Sequence, residues 1–212
     1  MSINHLFLIT FLELVTAMIA TVLFKKYVAS KEKYFLYFLW FTLIFEIIGA
    51  IMRYVFEWKT IGYYNFYILI SFLFYYYWYY TIIQNKSIKN IILIFSVLFL
   101  GVALYNLFFQ SWFEYHQYTF VVGALLTLIC TIFHFWQLLH SDEILEVKYK
   151  LSFWISTGLL LFNIGMVPFM LLSHHLNLKG DSYYLILITL NVILYGCYII
   201  GFLWTKEKYN RF

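Results

Sequence analysis

Proline is almost missing from this chain: one residue in 212, accompanied by nine glycines. Charge is scarce as well, at 11% of residues, where soluble domains carry about a quarter. The first scarcity leaves no material for linkers, spacers or low-complexity tails, so residues 1–212 read as one domain. The second, set beside 64% hydrophobic residues, excludes an ordinary water-soluble fold and makes a lipid bilayer the natural solvent. Cysteine is equally sparse. Cys130 and Cys197 both lie inside apolar runs and neither belongs to a CxxC, which excludes a disulfide framework and leaves two small packing residues.

Other absences remove function classes. No GxSG or HExxH occurs, so intramembrane serine or zinc protease chemistry has no signal. The last apolar run has no central lysine to form a retinal Schiff base, and no facing histidine pair suits a haem. Nucleic-acid signals are missing too. No catalytic residue is assigned and no cofactor is expected.

What the chain does contain is seven apolar runs, at about 6–24, 34–52, 63–83, 88–109, 118–139, 151–172 and 183–204. Each approaches the roughly 20 residues that a spanning helix needs. Backbone groups in lipid must be satisfied within the segment, so the expected fold class is all-α: a polytopic membrane protein of seven transmembrane helices. Eleven basic residues (Lys25, Lys26, Lys31, Lys33, Lys86, Lys89, Lys148, Lys150, Lys206, Lys208 and Arg211) fall on one side of that topology, against Arg53, Lys59 and Lys179 on the other. The positive-inside rule then places the C-terminus in the cytoplasm and the N-terminus outside. The start, MSINH, lacks a basic region and no small-residue cleavage site follows the first run, so the first helix is expected to be retained. The expected location is the inner (plasma) membrane. The longest inner loop, 140–150, contains Ser141, Asp142 and Glu143, which suit a helix start and would extend the sixth helix into the cytoplasm.

Aromatic residues make up 25% of the chain, with 24 Phe, 21 Tyr and 7 Trp. Interfacial belts account for part of this enrichment; an aromatic-lined pocket is the other reading.

Inside the apolar runs, a few polar residues stand out. An ionisable side chain at the centre of a spanning helix costs about 2.5–3.5 kcal/mol to insert and usually faces the bundle interior. Glu13 and Glu46 lie on the first and second runs, each about 10–12 Å below the outer surface at 1.5 Å rise per residue. Thr16, Ala17 and Ala20 stand at +3, +4 and +7 from Glu13, and Gly49, Ala50 and Arg53 stand at the same offsets from Glu46. Small residues mark close helix contact in membranes, so both acids are expected on packing faces. Two carboxyls close together in low dielectric disfavour double ionisation. The pair is therefore either a shared proton or cation site, or a hydrogen-bonded clamp between two helices.

Asn163 on the sixth run and Asn191 on the seventh lie at a similar depth, and Tyr184, Asn191, Tyr195 and Tyr198 share one helical face. Pro168 is expected to kink the sixth helix near that level. With Ser71 nearby, Glu13, Glu46, Asn163 and Asn191 form a polar layer on four helices, which suits either a pocket or a set of interhelical hydrogen bonds. His134 lies in the inner half on a stripe with Gly123, Thr127 and Gln137, as a proton relay or a structural hydrogen-bonder. Outside the membrane, His116, His174 and His175 are candidate metal ligands, but the HHLNLKGD stretch has no fixed ligand spacing.

An internal echo runs through the chain. YYNFYILIS from residue 63 resembles YYLILITLN from residue 183, setting Ser71 against Asn191, Tyr75 against Tyr195 and Trp78 against Tyr198. LIFEIIG at 43–49 echoes LLFNIG at 160–165. Spans 1–3 and 5–7 would then be a parallel repeat around an extra fourth span.

The runs YFLYFLWFTLIFEIIG, LSFWISTGLLLF and LNVILYGCYIIGFLW resemble a group of small seven-span inner-membrane proteins of Bacteroidota. In that group a carboxylate in span 2, an aromatic start to span 6 and an asparagine in span 7 recur; Glu46, the stretch 153–159 and Asn191 match them here. Many members carry another acid in span 3, where this chain has Ser71. The resemblance implies a seven-helix inner-membrane bundle and no particular activity.

The functional expectation is a ligand- or proton-responsive sensing module with a polar, aromatic-walled cavity in its outer half, acting through a membrane or cytoplasmic signalling partner. Its site residues would be Glu13, Glu46, Arg53, Ser71, Asn163, Asn191, Tyr195 and His134. The competing expectation is a proton- or cation-coupled transporter or oligomeric channel, with a homo-oligomer as its assembly, using Glu13 and Glu46.

Overall fold

The computed structural model describes residues 3–141, 144–172 and 181–210. Among them there are seven long helices and no strand: α1 (Ile3–Val22), α2 (Lys33–Tyr54), α3 (Ile61–Ile82), α4 (Lys86–Phe109), α5 (Gln117–Leu139), α6 (Leu151–Leu172) and α7 (Asp181–Trp204). Three short 3-10 turns, Phe24–Lys26, Ile144–Tyr149 and Glu207–Tyr209, cluster at one end of the bundle. The chain is a polytopic helical protein in outline: α2, α4, α5, α6 and α7 are each long and apolar enough to cross a membrane. α1 adds a shorter apolar stretch, Phe7–Val22. α3 is as long as α2, at 22 residues; its eight tyrosines in IGYYNFYILISFLFYYYWYYTI lower its hydropathy, because each ring carries a hydroxyl.

Neighbouring helices define a ring in the order α1, α2, α3, α5, α6, α7 and back to α1, with α4 outside it against α3 and α5. α4 is accordingly the least buried of the five most apolar helices, and Leu93, Ile94, Val97, Leu98, Leu104 and Phe108 are exposed along it. The ring order is the one that a parallel duplication of α1–α3 onto α5–α7 around an extra α4 would give.

Packing around the ring is uneven for a steric reason. Gly158 and Gly201 let α6 and α7 approach closely: a Cβ on Gly158 would lie 3.1 Å from the Leu194 carbonyl oxygen. α2 and α3 instead meet through stacked rings, Phe38 on Phe74 at 4.1 Å and Phe45 on Tyr63 at 3.8 Å between centroids. Large side chains hold these two backbones apart, and a gap opens on the ring's inner side.

Side chains close both ends of the bundle by capping backbone groups that helix termini leave unpaired. Asn65 at the start of α3 accepts from the His116 amide (3.1 Å) and donates to the Glu114 carbonyl (2.8 Å), pinning the α4–α5 loop. At the opposite end Asn210 accepts from the first amide of α6, Leu151 (3.1 Å), and Lys26 donates to the Leu203 carbonyl (3.1 Å). Asn85 caps α4 by accepting from the Ser87 and Ile88 amides.

One local expectation is corrected. The sixth helix does not reach back into the inner loop: α6 begins at Leu151, and the 3-10 stretch Ile144–Tyr149 precedes it. A 3-10 turn lets Tyr149 fold onto the tail, where its ring receives Lys206 Nζ at 3.7 Å and its carbonyl accepts from the Lys206 amide. Pro168 lies inside α6, which runs through it to Leu172, the end expected from the sequence. Positions 142–143 and 173–180, with His174 and His175, lie outside the described residues.

Candidate functional site

The gap inside the ring is a cavity of about 270 Å³. Glu13 of α1, Glu46 and Arg53 of α2, Ser71 of α3, Asn163 of α6 and Asn191 and Tyr195 of α7 all line it. Helical spacing explains the convergence. Glu46, Ala50 and Arg53 occupy one stripe of α2, and Asn191, Tyr195 and Tyr198 one stripe of α7, since residues three or four apart lie on one face. Asn163 lies on the buried stripe of α6 with Ser156 and Leu159.

α3 supplies more of the wall than its serine alone. Tyr64, Tyr67, Ser71 and Tyr75 follow each other at helical spacing and all face the cavity. Tyr64 and Tyr67 were not among the residues expected from the sequence, because the eight tyrosines of α3 are spread too widely for spacing to pick out one face. Tyr64 donates to Glu46 Oε2 at 3.0 Å, and Tyr195 donates to Glu13 Oε1 at 2.8 Å. Each acid thus has one oxygen engaged by a phenol from a different helix. Glu13 Oε2, Ser71 Oγ and the Tyr198 hydroxyl are buried and have no hydrogen-bond partner. Buried polar groups are almost always paired, so three orphans on one cavity wall call for a ligand or water.

The two asparagines use their amide donors locally. Asn163 Nδ2 donates to the Leu159 carbonyl and Asn191 Nδ2 to the Leu187 carbonyl, both at 2.8 Å. What each offers the cavity is its side-chain carbonyl oxygen. The pairs set together by the internal echo, Glu46 with Asn163, Ser71 with Asn191 and Tyr75 with Tyr195, all border this one space.

The cavity mouth is at Arg53, which is exposed, with half-buried Ala50 one turn below. Its floor is aromatic. Tyr198 closes the lower wall, Phe35 packs edge-on against it at 4.9 Å, and Phe35 also meets Trp78 at 5.7 Å. Phe35 and Trp78 have no exposed surface.

Below that floor lies a second polar group, and His134 belongs to it rather than to the cavity. His134 Nδ1 pairs with Ser156 Oγ at 2.8 Å; Tyr79 bonds Thr131 Oγ1 at 2.7 Å and donates to Ser156 Oγ at 3.3 Å. The chain links α3, α5 and α6 as an internal brace. Glu32, just before α2, is also here and has no exposed surface. Ser30 donates to the Tyr27 carbonyl, and neither Glu32 oxygen has a hydrogen-bond partner. Burial pushes the Glu32 carboxyl above the usual range, partly offset by the neighbouring Ser30 hydroxyl and local backbone and, least, by the Lys150 ammonium. The sequence did not single out Glu32 and gave Lys150 only as one of the inner basic residues, because nothing local in KEKYFLY or VKYKLSF says that the two loops meet.

His116 lies 5% exposed at the entrance to α5, beside a smaller, mostly apolar cavity of about 220 Å³ with Asn65 and Trp112. Among the described residues no three His, Cys, Asp or Glu side chains come together as a metal site.

One glycine controls the site. A Cβ on Gly49 would lie 2.8 Å from the Tyr64 hydroxyl oxygen, so Gly49→Ala is expected to push that hydroxyl off Glu46. The loss of a hydrogen bond to a charged group corresponds to about 1.5–3 kcal/mol. Thermal unfolding in detergent checks this: Gly49→Ala should fall by that amount, and Tyr64→Phe in the same background should cost little more.

No family model, curated protein or solved structure matches the chain. The chemistry of the cavity is therefore the basis for reading its function.

Proposed function

We propose that this chain is a seven-span inner-membrane protein whose cavity opens at the outer face, receives a small molecule and reports its presence to a signalling partner. The observation that carries this reading is the convergence of polar residues from five helices, Glu13, Glu46, Arg53, Ser71, Asn163, Asn191 and Tyr195 among them, on one cavity whose exposed lining residue is Arg53 and behind whose Tyr198 stand Phe35 and Trp78. A blind cavity with convergent polar groups suits binding better than passage. The basic residues support the orientation: among the described residues, Lys25, Lys26, Lys31, Lys33, Lys148, Lys150, Lys206 and Lys208 gather at the end opposite Arg53 and Lys59.

Cysteine accessibility tests the reading. In a Cys130→Ser, Cys197→Ser background, Ala50→Cys should react with a membrane-impermeant maleimide added outside intact spheroplasts. Lys206→Cys should react only after permeabilisation. The reverse pattern would invert the topology, and an Ala50→Cys that stays unreactive from both sides would remove the open cavity. In proteoliposomes a pH jump should produce no protein-dependent proton or cation flux. Sustained flux that Glu13→Gln abolishes would assign transport instead.

A further inference from the structure

The wall of the cavity is unbalanced in its hydrogen-bonding chemistry, and this imbalance specifies a ligand class. The inference rests on the reading of the cavity as a binding site. Count the groups by what they can offer. Glu13 and Glu46 are carboxyls, each with one oxygen engaged by a tyrosine, and Glu13 Oε2 is buried without a partner. Asn163 and Asn191 spend their amide donors on their own helices and offer carbonyl oxygens. The phenol protons of Tyr64 and Tyr195 already go to the acids. The unspent donors are neutral hydroxyls, among them Ser71 and Tyr198, while the charged groups of the interior are both acceptors. The one basic residue on the wall, Arg53, lies at the exposed mouth, two helical turns above Glu46, or about 10 Å at 1.5 Å per residue.

The remaining wall is mostly apolar: Phe38, Phe72, Tyr75, Phe120 and Phe162 bring rings to it from four helices, beside aliphatic side chains such as Ile68 and Leu159. Ring faces attract cations, most strongly where water is excluded. An isolated buried carboxylate is costly unless it is paired with a positive group. Acids, spare carbonyl acceptors and ring faces share one complement, a positively charged N–H donor with an apolar body. An anion would meet Glu13 and Glu46 and find only neutral hydroxyls, such as those of Ser71 and Tyr198, as buried donors. A bare alkali ion needs a tight oxygen cage, and much of this 270 Å³ space is bounded by carbon.

We propose that the cavity binds a protonated organic amine, with its ammonium between Glu13 and Glu46 and its apolar portion against the rings of Phe72, Phe120 and Phe162.

The test uses three probes of one shape on purified protein in nanodiscs: 2-phenylethylammonium, its neutral counterpart propylbenzene, and the anion 3-phenylpropionate. Binding is read by calorimetry and by tyrosine and tryptophan fluorescence. The ammonium should bind saturably and at least about tenfold tighter than propylbenzene, since charge-assisted bonds are about twice as strong as neutral ones. The anion should not bind. Glu13→Gln and Glu46→Gln should each weaken the ammonium about tenfold or more, with unchanged helicity by circular dichroism, while Lys206→Gln should have no effect. Equal binding of propylbenzene, or an ammonium affinity indifferent to both glutamine variants, would overturn the amine assignment and leave the cavity as a site for another ligand. Displacement of the ammonium by sodium chloride but not by equal ionic strength of a bulky organic salt would also overturn it, in favour of an alkali-ion site. Binding of none of the three probes would overturn the amine assignment; the separate accessibility of Ala50→Cys decides whether the cavity itself is open.

Discussion

Trp78→Ala is expected to be the most damaging single substitution at the base of the cavity. Trp78 has no exposed surface and touches Phe35 at 5.7 Å, Tyr79 at 4.9 Å and His134 at 6.3 Å between ring centroids. Truncating a buried tryptophan costs about 3–5 kcal/mol in soluble proteins. In a bilayer the hydrophobic part of that figure shrinks, because lipid is as apolar as the side chain, but the lost contacts remain. A fall in melting temperature should therefore accompany a second effect. The indole lies between the outer cavity and the group of Glu32, Lys150, His134 and Ser156. Its removal opens a space that water can enter, since polar groups lie on both sides. Proteoliposomes carrying Trp78→Ala should leak protons after a pH jump where the parent protein does not, and Trp78→Phe should restore most of the seal. A tight Trp78→Ala variant would show that the floor is closed by something other than this ring.

The second large effect is expected at Lys150. Lys150 is buried at 5% exposure, and its ammonium is near enough to Glu32 to lower that carboxyl's hold on its proton, as the smallest of the influences that do so. Losing a nearby buried cation leaves a buried carboxylate less compensated, at a cost of about 1–3 kcal/mol. Lys150→Met should thus be destabilising at neutral pH, and Glu32→Gln combined with Lys150→Met should recover most of the loss. The pH dependence follows from the direction of the Glu32 shift. Its folded carboxyl holds a proton more tightly than the unfolded one. The contribution of Glu32 is therefore fully present below the unfolded value, about 4.3, and declines as pH rises through the folded value. Lys150→Met should raise that folded value further and make melting temperature fall more steeply between pH 5 and neutrality, at up to about 1.4 kcal/mol per pH unit. Glu32→Gln should flatten the profile in either background. A Lys150→Met profile parallel to that of the parent would show that the two side chains do not act on each other.

Glu46 illustrates how much was legible in the linear chain. Its carboxylate in FTLIFEIIGAIMR marked an interior face because lipid penalises an exposed charge, and that argument needs only one helix. The same local reasoning located Glu13, Asn163, Asn191 and Tyr195, whose stripes repeat at three and four residues. It could not distinguish Ser71 as a cavity group from Ser71 as a packing group, nor find Tyr64, because twenty-one tyrosines carry no mark of which helix they meet. For His134 the sequence left a proton relay and a structural hydrogen-bonder open; its bond goes to Ser156, with the rings of Phe35, Trp78 and Tyr198 between it and the cavity, and the second reading fits.

The division between chain and fold has a physical origin. Composition and period alone determined that this protein is helical, apolar and polar only along certain stripes, because each helix satisfies its own backbone and each stripe is set by 3.6 residues per turn. Tertiary structure alone decided that the stripes of α1, α2, α3, α6 and α7 face one space. That outcome depends on how closely pairs of helices approach: Gly158 and Gly201 draw α6 and α7 together, while stacked Phe38, Phe45, Tyr63 and Phe74 hold α2 and α3 apart. The same long-range packing brought Glu32 and Lys150, 118 positions apart in sequence, to one buried point beneath the floor, a meeting that no local pattern encodes.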